Sequence, residues 1–192
     1  MSIERQRGVT LVELVMFMVI VSIALVGILQ VMRLTTANSA DPLRRKQALM
    51  IAEALLDEVR QAGFTFCDPR SDNAEIAASS ADCTIKEAFG DDGQGGLRPY
   101  DNVNDYVSAA GVATAAFNDG AGKLADALGR PLDLSGYSAT VAITPDALGD
   151  IPAGASADSD ALRIRVVVSY DQTESVTLDG YRARYMPTQG AE

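Results

Sequence analysis

The sequence predicts an α+β chain: a long N-terminal helix, apolar all round in its first half and amphipathic in its second, packed on a C-terminal antiparallel sheet of three to four strands. Three observations predict it. Residues 9–32 carry almost no polar side chains, residues 48–62 repeat apolar residues every three or four positions, and residues from 137 onward alternate apolar with polar. The changes of pattern divide the chain into segments 1–8, 9–32, 33–63, 64–136 and 137–192.

The first segment is a short basic head. Arg5 and Arg7 against Glu4 give it a formal charge of +1, in a chain of 192 residues whose net charge is −10. The rest is therefore acidic, which argues against a nucleic-acid backbone as partner, because that binding needs Lys and Arg to neutralise phosphates. There is no histidine, and Cys67 and Cys83 are the only cysteines. These facts exclude Ser-His-Asp and Cys-His catalysis, a His-ligated zinc and a four-cysteine site within the chain. With no nucleophile–base pair, metal cluster or phosphate-binding loop in view, no enzymatic activity, cofactor or metal is expected.

The second segment holds 24 residues, Val9 to Met32, among which only Thr10, Glu13, Ser22, Gly27 and Gln30 are polar or small. At helical rise it spans roughly 36 Å, enough to cross a hydrocarbon core of about 30 Å. It opens with "RQRGVTLVELV", residues 5–15, and so places Glu13 inside the apolar run. A carboxylate at the centre of a membrane helix costs about 2.5–3.5 kcal/mol, so Glu13 needs a partner or a purpose. A secretory signal has a shorter apolar stretch and a small-residue cleavage site beyond it, and neither is present here. A plain anchor fits the length but leaves Glu13 unexplained. A third reading places a cut before the apolar run, between Gly8 and Val9, so that a new amino terminus lies four residues from Glu13.

"RGVTLVELV" resembles the processing site of type IV prepilins and of the related pseudopilins of type II secretion: a basic leader ending in Gly, then a hydrophobic residue, Thr, Leu, an aliphatic residue and Glu. Val9 departs from the Phe usual in that family, although aliphatic residues also occur there. The resemblance implies that a prepilin peptidase cleaves between Gly8 and Val9 and methylates the Val9 amine. It also implies that Glu13 directs filament assembly by pairing with the terminal amine of a neighbouring subunit. An ion pair is strongly attractive in a low-dielectric core, and an unpaired charge there is heavily penalised. The implied partners are the peptidase, other pilins, and an inner-membrane assembly platform with its ATPase. The implied location is the inner membrane, single-pass, with the N-terminus cytoplasmic and the head periplasmic, and the cell-surface pilus after assembly. Arg5 and Arg7 agree with that topology. Arg33, Arg44, Arg45 and Lys46, beyond the apolar run, oppose it on charge count, and the processing motif is preferred to the count. The basic cluster is then expected near outer-leaflet headgroups or facing acidic neighbours.

In the third segment "DPLRRKQALMIAEALLDEVRQAG" reads as a helix from Asp41, with Asp41 as N-cap, Pro42 at the first helical position and Gly63 as C′ residue. Ala48, Ala52, Leu55, Leu56, Val59 and Ala62 form its apolar face, with Glu53, Asp57 and Arg60 opposite. It either continues the apolar helix with a break at Pro42 or follows a flexible linker at Thr35–Ala40.

Residues 64–136 are expected to be an irregular, Gly/Asp-rich connection with a short helix around Lys123–Leu128. "YDNVNDY", 100–106, is similar to an acidic segment of the D-type minor pilins of the mannose-sensitive haemagglutinin (MSHA) pilus. Asp91, Asp92, Asp101, Asn102, Asn104 and Asp105 offer oxygen ligands of the kind calcium uses. They do not fit the D-x-[DN]-x-[DN]-G spacing, so they are expected to be solvated loop side chains. The periplasmic location that the resemblance implies makes a Cys67–Cys83 disulfide the simplest expectation, worth on the order of 3 kcal/mol. Many type IV pilins carry their bridge near the C-terminus, so an adhesive C-terminal disulfide loop is not expected here.

In the last segment "YSATVAIT" (137–144) and "ALRIRVVVSY" (161–170) alternate, with Leu162, Ile164, Val166 and Val168 inward and Arg163 and Arg165 outward. "DQTE" (171–174) is expected to turn a hairpin into "SVTLDGYRARY" (175–185), bulged or turned at Asp179–Gly180. The outward arginines are expected in solvent, or against neighbouring subunits. The function these features imply is a minor structural subunit of a type IV pilus, assembled through its N-terminal helix and priming or capping the fibre. The alternatives are a type II secretion pseudopilin and a membrane-anchored periplasmic binding domain.

Overall fold

A computed structural model describes residues 10–90, 98–154, 158–170 and 174–184. Helix α1, Leu11–Gln61, is followed by three strands: β1 (Ser138–Pro145), β2 (Ala161–Ser169) and β3 (Ser175–Ala183). The architecture is the expected α+β one, with the sheet settled at three strands in the order β1-β2-β3, antiparallel throughout. The chain divides into two compact units, one ending at Arg44 and the other beginning at Arg45.

The first unit is the N-terminal part of α1. Its segment Leu11–Arg33 is long and apolar enough to cross a membrane, and none of it is buried by the rest of the chain. Asp41 does not cap a second helix and Thr35–Ala40 is not a linker, because α1 runs through both and holds Pro42 in its interior. Proline there removes one N–H and crowds the preceding turn, a cost of about 3 kcal/mol. The helix-favouring sequences on both sides outlast that single defect.

In the second unit the apolar face read from the sequence is the buried one. Ala48, Ala52, Leu55, Leu56, Val59 and Ala62 join Val141, Ile143, Ile164, Val166 and Val168 in one core. Glu53, Asp57 and Arg60 stay exposed. Two glycines set how closely these elements approach. Gly63 is not a left-handed C′ residue. It forms a parallel bridge with Asn102, and a Cβ there would lie 2.8 Å from the Asp101 carbonyl oxygen. Gly180 makes neither bulge nor turn, since it pairs in register with Ile164 in an unbroken ladder. Its missing side chain leaves room for Leu56, whose Cδ1 would stand 2.9 Å from a Cβ.

The outer edge of β1 is covered by the preceding loop. Thr114 and Val141 exchange backbone hydrogen bonds of 2.8 and 2.9 Å, and Gly111 N donates to Ile143 O at 2.7 Å. This leaves no open row of backbone groups along that stretch. The described residues of 64–136 include two single turns of 3₁₀ helix, at Ser80–Asp82 and Val103–Tyr106. The short helix expected at Lys123–Leu128 is absent. In its place two like turns follow each other seven residues apart. The Asp119 carboxylate accepts from the N–H groups of Ala121 and Lys123, and that of Asp126 from Leu128 and Arg130. Asp side chains that satisfy neighbouring backbone in this way favour turns over helix.

Candidate functional site

The expected processing pair, Gly8 and Val9, lies outside the described residues, and so do Asp91 and Asp92. What the structure describes begins at Thr10, immediately before α1. The Glu13 N–H donates to Thr10 Oγ1 at 3.3 Å, and the Leu14 N–H to the Thr10 carbonyl at 3.1 Å. Thr10 is therefore the N-cap of α1, satisfying a donor that the first turn would otherwise leave unmet. Glu13 sits three residues on, the one acid of the first turn. Thr-x-x-Glu ahead of an apolar run is the spacing of a capping box, a signal the sequence reading passed over. The Glu13 carboxylate thus lies at the positive end of the helix dipole, where a negative charge is favoured. Its side chain is exposed, as are the apolar side chains of the turns after it. Ser22 makes the apolar segment still less polar, because its hydroxyl donates to the Met18 carbonyl at 2.6 Å.

The head is held by polar clamps that no periodic pattern announces. Arg98 donates to both oxygens of Glu58 on α1, at 2.8 and 2.6 Å, and to the Ala125 carbonyl at 3.1 Å. Its guanidinium lies 5.2 Å from the centre of the Phe117 ring. Tyr106 O–H donates to the same Glu58 at 3.1 Å. Burial, and then the Glu58 charge, raise the phenol's pKa above its ordinary value, so it stays a donor. These contacts tie residues 98–125 to the helix.

The reading of the 101–105 acids and amides as solvated fails for three of them: Asn102, Asn104 and Asp105 are buried. Asn102 caps the 3₁₀ turn, and its own N–H donates to Asp105 Oδ2 at 3.1 Å. The cause is the parallel bridge to Gly63, which draws the segment under the end of α1. Among the described residues no group of three or more His, Cys, Asp or Glu side chains is placed to hold a metal.

Cys67 and Cys83 are joined by a disulfide, Cα–Cα 5.3 Å. The loop it closes is organised from inside by Ser71. The Ser71 hydroxyl oxygen accepts from the N–H groups of Thr84 and Ile85 at 3.1 and 3.3 Å. Beside it Arg184 packs between Phe64 and Phe66, at 4.0 and 3.7 Å from their ring centres. Burial pulls the Arg184 pKa down to about 10, which leaves it charged at neutral pH. On the outer face of the sheet Arg165 pairs with Asp179 across the strands at 2.8 Å and Arg163 with Asp146 at 3.4 Å. Both outward arginines are thus answered within the chain. An open cleft of about 660 Å³ lies between the end of α1 and β3, lined by Asp57, Arg60, Gln61 and residues 181–184. It brings no nucleophile against a base.

Over residues 4–29 the chain matches the family profile of the prokaryotic N-terminal methylation motif. No curated protein and no solved structure matches the chain significantly. The chain carries a type IV pilin-like prepilin methylation motif, set on an apolar helix that leads into an α+β head.

Proposed function

We propose that this chain is a minor subunit of a type IV pilus, cleaved between Gly8 and Val9, methylated on Val9 and assembled through its apolar helix. The observation that carries the reading is the coincidence of the methylation motif with a capped helix whose first half keeps its apolar side chains exposed. Glu13 supplies the assembly contact, meeting the terminal amine of a neighbouring copy in the filament core. The domain plan is a leader at 1–8, a membrane and assembly segment at 9–32, and an amphipathic stretch at 33–63. A connecting region at 64–136 and a sheet region at 137–192 complete it. A prepilin peptidase processes the chain, and an inner-membrane platform with its ATPase assembles it beside other pilins. The N-terminus faces the cytoplasm and the head the periplasm. The resemblance of "YDNVNDY" supports a D-type place in an MSHA-like fibre. The rival within the same class is a type II secretion pseudopilin.

The test is the mass and N-terminal sequence of the protein recovered from cells with and without the peptidase. The expected species begins at Val9 and is heavier by one methyl group, only where the peptidase is present. A chain still beginning at Met1 in its presence overturns the reading. Given processing, Glu13→Ala is expected to leave cleavage intact and to abolish recovery of the subunit in sheared fibres. Equal incorporation removes Glu13 from assembly.

A further inference from the structure

The two edges of the sheet are finished differently. The loop at 111–114 covers β1, whereas β3 is the last strand on its side and no described residue bridges to its outer edge. The hairpin fixes which groups of β3 are left over. Tyr170 N donates to Glu174 O at 3.1 Å, and Arg184 N to Asp160 O at 2.8 Å. Even-numbered residues between them therefore bond to β2, and odd-numbered ones turn their N–H and C=O groups away from it. Ser175, Thr177, Asp179, Tyr181 and Ala183 form an open row, roughly 27 Å long at strand rise. Such an edge is commonly guarded by a lysine, a proline or a bulge. β3 has none of these, and its ladder to β2 is unbroken.

The charges at its two ends are also unanswered. Arg182 is the one described arginine from Arg60 onward with no carboxylate at ion-pair distance, and it donates to the Ala62 carbonyl at 3.4 Å. In the same cleft Arg60 reaches Asp57 only at 3.9 Å, with both side chains more than half exposed, a contact worth little. At the other end of the strand Glu174 is exposed and makes no ion pair among the described residues. By strand parity Glu174 and Arg182 belong to the sheet face of Val176 and Leu178, which pack against the core.

We infer that β3 pairs antiparallel with β3 of a second copy about a two-fold axis at Leu178, joining two three-stranded sheets into one. In that register Arg182 of each copy stands opposite Glu174 of the other, and Leu178 opposite Leu178. Ser175 and Thr177 exchange backbone hydrogen bonds with the partner's Tyr181 and Asp179. The adjacent registers fail on charge. Centred on Asp179, the pairing sets that carboxylate against its own copy and Arg182 against Val176; centred on Thr177, it sets Glu174 against Gly180. A two-fold contact closes on itself and is not the repeat that lengthens a fibre. Under the proposed function it joins subunits of separate fibres, and it holds as a contact of the head if that function fails.

The test is charge exchange in the full chain, purified in detergent, with dimer formation followed by analytical ultracentrifugation. The apolar helix is free to self-associate as well, so the readout is the response to charge. Arg182→Glu and Glu174→Arg are each expected to weaken the dimer about tenfold or more, and the double variant to restore it. Melting of the head shows that each variant folds. Leu178→Cys adds the one free thiol, since both native cysteines are joined. Mild oxidation is expected to cross-link it as a dimer, because side chains directly opposed at the axis have Cβ atoms about 4.5–5.5 Å apart. Thr177→Cys, off the axis and on the other face, is expected to stay uncross-linked. A wild type that remains monomeric, or a double variant no better than either single one, overturns the pairing. Cross-linking through Thr177→Cys in preference to Leu178→Cys overturns the register.

Discussion

Leu25 and Leu55 occupy the same helix thirty residues apart, one 54% exposed and the other 7%. The difference lies in what surrounds each leucine in sequence. Around Leu25 the apolar residues continue all the way round the helix, so no single face can be turned to a sheet, and the segment needs an apolar solvent or other helices on every side. Around Leu55 they are confined to one stripe, with Glu53, Asp57 and Arg60 opposite, and one sheet is enough to cover them. Hydrophobicity alone does not say whether a side chain is buried within its own chain; its angular distribution does.

The contrast breaks most sharply where the second half of α1 holds the head by a charge. Arg98→Ala leaves Glu58 on the helix without its guanidinium, in a pair whose side chains are only 4% and 15% exposed. Stranding one partner of such a pair costs about 3–5 kcal/mol, to be read from urea unfolding of the head. Leu55→Ala is expected to cost about 2–5 kcal/mol in the same experiment, whereas Leu25→Ala should leave the unfolding curve of the head unchanged. A comparable loss at Leu25 would mean that the two halves do not differ as described. A smaller effect separates the two close-approach glycines. Gly63→Ala drives a methyl against a backbone oxygen that cannot rotate away and should cost about 1–3 kcal/mol. Gly180→Ala meets only the end of Leu56, which can turn, and should cost less. Equal losses would deny that distinction.

The smallest effect concerns acid. The Arg130 backbone and side chain hold Asp126 below the usual carboxylate range, and the Arg165 guanidinium does the same for Asp179. A depressed folded pKa contributes stability that is present above the unfolded value of about 3.9 and is lost as pH falls through the lower folded one. The melting temperature of the head should therefore decline from about pH 4 downward, and less steeply in Asp179→Asn. An unchanged slope in that variant removes Asp179 from the acid response.

The parts legible in the sequence were those that repeat. The stripe 48–62 and the alternation of Leu162, Ile164, Val166 and Val168 identified their buried faces because a helix or strand on a core must show its period. Residues 98–125 show no period, yet they bring Tyr106 and Phe117 into the core, because Arg98 and the Asp turns replace pattern with specific polar contacts. A signal did exist there: Asp119 and Asp126, each followed by a glycine and a basic residue, form two copies of one turn. Gly63 and Gly180 could be recognised as glycines but not as contacts, since what they admit comes from distant segments. At the candidate site Glu13 stood out for its charge. Its place in the first turn was written in Thr10, three residues before it.

That cap has a consequence for maturation. A cut between Gly8 and Val9 would leave Thr10 as the second residue of the product, so the signal that starts the helix would travel with the subunit, and losing the leader would not unwind the first turn. The electrical balance at that end would change instead. A free or methylated amine would bring a full positive charge to a terminus where the aligned peptide dipoles already place about half of one. Glu13 would then be the single nearby anion for both, and the excess would persist until another copy supplied a second carboxylate. Under the proposed processing, the cut would leave the shape of the helix alone and create an unmet charge, and a growing fibre would be where that charge finds its counterpart.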